Sequence, residues 1–210
     1  MKYPEEWKDL PKKERKKNIK ELQTQTLEKN EFTKRIRIGI VILAFVLLGV
    51  AGYRYTALRS AKSSVFEQKV KEVSLEGKVQ EYPEEGREHV PAGTDVNHST
   101  NPPTSGGHYD DAADWGVYHE EIPDEAAVHA LEHGGIWITY NEIDESTKNT
   151  LEDIAKENPA SVLISPRAAN DTKIAIVSWQ HMMKLETVDK AFIQKYINTY
   201  INKSPEKLAR

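Results

Sequence analysis

Between Arg37 and Arg54 the chain carries no charged side chain, and residues 38–53 are sixteen nearly continuous apolar positions. A run of that kind has few stable destinations, and a single membrane-spanning helix fits it best. At 1.5 Å per residue it would cover roughly 24 Å, slightly short of the hydrocarbon core. Arg37 and Arg54 are therefore expected to snorkel outward, with Tyr53 and Tyr55 at the interface. A cleavable signal peptide is the competing reading. The 37 residues ahead of the run are long for one, and no clean small-x-small cleavage site follows, so an uncleaved anchor is expected.

Charge divides the chain on either side of this run. Residues 1–37 hold 12 Lys/Arg against 7 Asp/Glu, whereas residues 55–210 hold 16 against 26. Lys12, Lys13, Arg15, Lys16, Lys17, Lys34, Arg35 and Arg37 all precede the span. The positive-inside rule then keeps the amino terminus in the cytoplasm and sends the carboxy-terminal region outside. The expected layout is a basic cytoplasmic tail over 1–35, a span over 36–55, a stalk over 56–74 and one extracytoplasmic domain over 75–206. So acidic a domain is a poor partner for nucleic acid, whose phosphates need a basic footprint. The membrane, and another membrane protein within it, are the partners this layout suggests. With no cysteine, disulfides, thiolate metal sites, iron–sulfur clusters and cysteine nucleophiles are excluded.

After the span the chain is polar with scattered apolar residues, read as a stalk that can continue the helix and then a first strand. A turn at residues 83–86 follows. Residues 89–118, rich in Gly, Pro, Ser, Thr and Asp, should form a long structured loop. A helix over 123–133 stops at Gly134 and Gly135, and residues 136–140, β-branched and aromatic, form a strand. Asp144 or Ser146 caps a helix reaching about Asn158. Strands follow at 161–165 and 173–179, and a last helix at about 188–201 lines up Val188, Phe192, Ile193, Tyr196, Ile197 and Tyr200. This order predicts an α+β domain in compact layers.

The chemistry concentrates in residues 88–147, which hold 13 Asp/Glu, no Lys or Arg, and six of the seven histidines. Neutral imidazole is the commonest biological metal ligand, and nearby carboxylates attract a cation and orient the rings. His129 and His133, four apart on a helix, put both rings on one face where two nitrogens can meet one ion. Protonated imidazoles at a helix carboxyl end explain the same spacing without a metal. His108 beside two glycines and His89 at the loop entrance add weight to the metal reading. The same segment fits the His-x-x-Glu-His pattern of inverted zinc proteases, with Glu132 as general base, although the helix ends at once in Gly134 and Gly135. Ser105 near His108 and Asp110 lacks the nucleophile elbow of a serine hydrolase. His181, Met182 and Met183 offer a copper-preferring set, with core packing of the methionines an equally good account. Trp115, Trp137, Trp179 and Tyr140 read as core before binding wall.

The blocks around Arg87 to Pro91, Asn101 to Tyr109, Trp115 to Tyr118, Val128 to Gly135 and Ser204 to Glu206 together resemble the domain of unknown function 3105 family. The likeness spans about residues 75–206. It implies one membrane segment followed by one external domain, and it puts His89, His108, His129, Glu132 and His133 on the family's motif positions. Position 98, aromatic in that pattern, is His here, and His119 and His181 also fall off it. The family name supplies no activity. The resulting expectation is a copper or zinc ion held by His89, His108, His129 and His133 in a carrier, sensor or assembly factor. A hydrogen-bonded interaction module without metal and a zinc hydrolase are the alternatives. Imidazoles alone do not choose between the metals, though the Irving–Williams order favours copper.

Overall fold

The computed structural model of the protein describes residues 4–210, so residues 1–3 of the amino-terminal tail lie outside it. The chain forms two compact units, Met1–Ser63 and Ser64–Arg210. In the first, a short 3-10 turn at Glu5–Lys8 precedes helix α1 (Lys12–Glu72), whose last residues belong to the second unit; the helix starts directly after Pro11 and meets no further proline along its length. Its apolar stretch is long enough to cross a membrane, and none of that stretch is buried against protein. Ile40, Leu43, Phe45, Leu47 and Leu48 are all exposed around the helix. A helix that is apolar on every side and packs on nothing finds its partner in lipid, which supports a single-pass membrane topology.

The second unit is an α+β domain, as expected. Its six-stranded mixed sheet runs in the order β1 (Val79–Glu81), β8 (His181–Leu185), β7 (Ile174–Ser178), β5 (Ile136–Tyr140), β6 (Val162–Pro166) and β4 (Gly116–Val117). The β5–β6 and β4–β6 pairs are parallel, and the other pairs are antiparallel. Helices α3 (Glu145–Glu157) and α4 (Lys190–Tyr200) pack over one face, and α2 (Asp124–Glu132) covers the other. Side-chain alternation along β5 assigns the faces: Ile136, Ile138 and Tyr140 join α3 and α4, while Trp137 joins α2. With both faces covered, β5 is buried from end to end. Each such large side chain removed from water contributes on the order of 2 kcal/mol.

Asp144 caps α3 as expected, accepting from Thr147 N at 2.8 Å, and this hydrogen bond holds its carboxyl below the usual range. Two features depart from the sequence reading. His181, Met182 and Met183 do not trail off a strand but open β8, paired to β7 across a turn at Trp179 and Gln180. Gln180 takes a positive φ of 63° there, so the turn lacks the glycine or asparagine that would announce it. The two methionines then fall on opposite faces, Met183 with α3 and α4, Met182 with α2. Both are packed among the apolar side chains of the core, the reading of the methionines that needs no ligand role. The second departure lies in the long loop, which contains the edge strand β4 and a separate parallel pair, β2 (His89–Val90) and β3 (His108–Tyr109).

The stop after α2 is fixed by backbone geometry. Gly135 N donates to Ala130 O at 3.1 Å and Gly134 N to Leu131 O at 3.0 Å, with Gly134 at φ +93°. This is the Schellman pattern, which requires a left-handed residue where Gly134 stands. Gly135 is needed for closeness, since a Cβ there would lie 2.0 Å from the Trp115 ring and 3.0 Å from Ala130 O. Gly135→Ala is expected to cost about 2 kcal/mol by overpacking. In urea denaturation of the full-length protein, Gly135→Ala combined with Trp115→Leu should lose less than the two single changes summed. Simple additivity would show that the ring is not the obstacle.

Candidate metal centre

The parallel β2–β3 ladder pairs His89 with His108 and Val90 with Tyr109. Paired residues on neighbouring strands point the same way, so a two-residue ladder brings together two histidines from distant parts of the loop. Helix α2 lies beside β3 and presents His129, Glu132 and His133 on one face through i, i+3 and i+4 spacing. The rings of His89, His108 and His129 form a near-equilateral triangle, with centroid separations of 4.8, 5.0 and 4.8 Å. One ligand atom from each of these histidines and one from Glu132 all lie within 4.8 Å of one another. Two donors about 2.1 Å from one tetrahedral ion stand roughly 3.4 Å apart, so an ion would draw the widest pair of this group in by up to about 1.4 Å.

Hydrogen bonds decide which nitrogens are free. His108 Nδ1 lies 2.8 Å from Gly106 O and His129 Nδ1 lies 2.7 Å from Tyr109 O. A carbonyl accepts only, so each Nδ1 donates, and in the neutral ring Nε2 then keeps its lone pair. His89 Nδ1 sits 3.0 Å from Asp110 Oδ1, the same arrangement with a carboxylate. An Nδ1–H bound to an oxygen, with Nε2 presented inward, is how metal-ligating histidines are oriented. Burial, opposed by the Tyr109 carbonyl and reinforced by the neighbouring histidines, pushes the His129 pKa down and favours its neutral, ligand-competent form.

The environment of His108 is the most telling. The ring is fully buried, and its Nε2 has no hydrogen-bond partner although Glu132 Oε2 is 3.1 Å away. With the ring neutral and the carboxyl ionised, two acceptors face each other in a dry setting. Such an arrangement is costly unless a proton or a cation lies between them. Trp179 closes this side, its ring set edge-on to His108 with centroids 6.5 Å apart.

His133, the fourth imidazole expected as a ligand, stands one step further out. Its Nε2 is 3.0 Å from His129 Nε2 and 3.2 Å from Glu206 Oε2. Glu206 belongs to a segment that wraps the end of α2, where Glu206 N donates to Glu132 O at 3.1 Å and Leu208 N to His133 O at 2.9 Å. The remaining histidines lie apart from the triangle. His98 turns its Nδ1 to Ser105 O at 3.0 Å, His119 is exposed, and His181 bonds Trp179 O at 2.8 Å and stacks on Tyr200. Two carboxylates take parts here that the sequence reading did not give them. Glu132 was legible as a general base but sits here among the donors, and Glu206 had no signal beyond its place in a family motif.

Comparison with known proteins adds one result. The family model described as protein of unknown function (DUF3105) matches residues 89–210, which include all four donors, His133 and Glu206. No curated protein and no solved structure matches the chain.

Proposed function

The chain belongs to the family described as protein of unknown function (DUF3105), and from the site that this region carries we propose that it is a single-pass membrane protein holding a divalent transition-metal ion. His89, His108 and His129 bind through Nε2, Glu132 supplies a carboxylate oxygen, and the role is that of a carrier, sensor or assembly factor. The basic tail stays in the cytoplasm and the metal domain faces outward. The observation that carries this reading is the orphaned His108 Nε2 opposite Glu132 Oε2. A cation between the two turns a repulsive contact into two bonds.

Three imidazoles and a carboxylate form a nitrogen and oxygen set without thiolate or thioether, which suits zinc or copper(II) and not copper(I). A hydrogen-bonded module without metal accounts for the Nδ1 contacts but needs a proton between His108 Nε2 and Glu132 Oε2. The hydrolase reading needs Glu132 free to act as a base on metal-bound water, whereas its oxygen lies against a ring nitrogen.

The test is metal analysis of full-length protein purified in detergent after zinc or copper supplementation. Wild type should retain metal, and His129→Ala should weaken binding at least roughly a hundredfold, more than the loss of a supporting residue would. Wild-type protein that stays metal-free under both supplements overturns the proposal.

A further inference from the structure

Four imidazoles and two carboxylates meet around the end of α2, more donors than one four-coordinate ion uses. We propose that His133 and Glu206 form a second cation position, outside the first and open to solvent. The inference rests on the reading of the inner site given above.

Spacing supports it. Two atoms bound to one tetrahedral ion at about 2.0 Å stand roughly 3.3 Å apart, and His133 Nε2 lies 3.2 Å from Glu206 Oε2. His133 Nε2 also meets His129 Nε2 at 3.0 Å. Once an inner ion takes the His129 lone pair, that contact no longer serves as a hydrogen bond, and His133 and Glu206 are left to each other. The inner group of four does not include His133, so the outer pair is a separate set of donors.

Glu206 stands on a tied-down stretch of main chain. Its segment is held by Asn202 N to Gly134 O at 2.9 Å, Glu206 N to Glu132 O at 3.1 Å, Leu208 N to His133 O at 2.9 Å and Arg210 N to Ala160 O at 2.9 Å. Asn202 Nδ2 adds a bond to Ala209 O at 2.9 Å, and Ala209 is buried. These bonds hold the Glu206 backbone beside a helix carboxyl end, within reach of His133, where the aligned peptide dipoles already favour a cation.

Exposure grades the two positions. At the inner one the side chains of His108 and Glu132 are 0% and 9% exposed and only His89, at 49%, reaches solvent, whereas both outer side chains, His133 and Glu206, are open at 25% and 50%. An outer ion therefore keeps part of its water shell, binds more weakly and exchanges faster. Its class is that of the inner ion, a divalent transition cation accepting imidazole and carboxylate. Six donors around two ions is the composition of a paired site, in which ions typically lie about 3.5–4 Å apart.

The test uses full-length protein in detergent micelles, stripped with a chelator and dialysed against buffered zinc. Metal per chain is then counted, and copper(II) loading is followed by electron paramagnetic resonance. Wild type should bind two zinc ions, the second more weakly, and show a spin-coupled copper pair. Glu206→Gln keeps the main-chain bonds of its segment and should bind one, with an isolated copper signal, and His133→Asn should do the same. One ion in both wild type and Glu206→Gln overturns the second position and leaves the inner site standing. Two ions in both overturns the assignment to Glu206. A single ion lost altogether in Glu206→Gln makes Glu206 a ligand of the inner site and also overturns the proposal. Wild type that binds none overturns both readings.

Discussion

Glu132→Gln is expected to stabilise the metal-free protein and to weaken metal binding at least roughly tenfold to a hundredfold, two effects of opposite sign from one atom exchange. The stabilising half follows from donors and acceptors. His108 spends its Nδ1 proton on Gly106 O, so in a neutral ring its buried Nε2 can only accept, and the atom opposite at 3.1 Å is a carboxylate oxygen. Leaving such a group unsatisfied costs about 1–3 kcal/mol. Glutamine has nearly the same shape but offers an amide N–H, which can donate to Nε2. A gain of about 1 kcal/mol, or roughly 3 °C in Tm, should appear in melts of chelator-treated protein. The weakening half comes from losing the only carboxylate among the four donors. Chelator competition should show it in the same preparations. Destabilisation of the metal-free variant would mean that His108 is an imidazolium paired with Glu132, and the centre would then be a buried ion pair and not a metal site.

The span was legible because a charge-free interval between two arginines is a property of the sequence alone. Helix α2 was legible for a similar reason, since Gly134 and Gly135 announce a stop that the Schellman bonds realise. His129 and His133 were paired by helical spacing, a local rule. His89 and His108 meet through a ladder only two residues long on each strand, too short to carry any periodicity, so composition and family likeness pointed to them without explaining how they converge. Residues 88–147 placed His98 and His119 in the same acid-rich stretch. Density along the chain could not separate a ring that bonds Ser105 O from one that joins the triangle. Glu206 is reached only because main-chain bonds fold its segment back across α2, and such pairing leaves no mark in the identity of the residues. The β8 strand was missed because two methionines look like filler, and only the covered faces of the sheet make them alternate core residues.

Arg167→Ala is expected to cost about 3 kcal/mol, although Arg167 touches none of the proposed metal donors. Its guanidinium is buried and forks onto Asp124, with Nε to Oδ1 at 2.8 Å and Nη2 to Oδ2 at 2.7 Å. Its Nη1 donates to Asn101 Oδ1 and, at 3.2 Å, to Asn170 Oδ1. One side chain therefore ties the end of β6 to the first residue of α2 and to the loop that runs on to His108. Alanine leaves the Asp124 carboxylate, 29% exposed, and the Asn101 carbonyl without their partner. For a domain of this size the loss should lower Tm by roughly 10 °C. Metal affinity should fall as well, because the loop between Asn101 and His108 loses its anchor while every donor remains. Arg167→Lys restores the charge but not the planar fork, so it should recover little of either loss. A lysine variant as stable as wild type would show that charge, and not the two-pronged geometry, holds the loop against the helix.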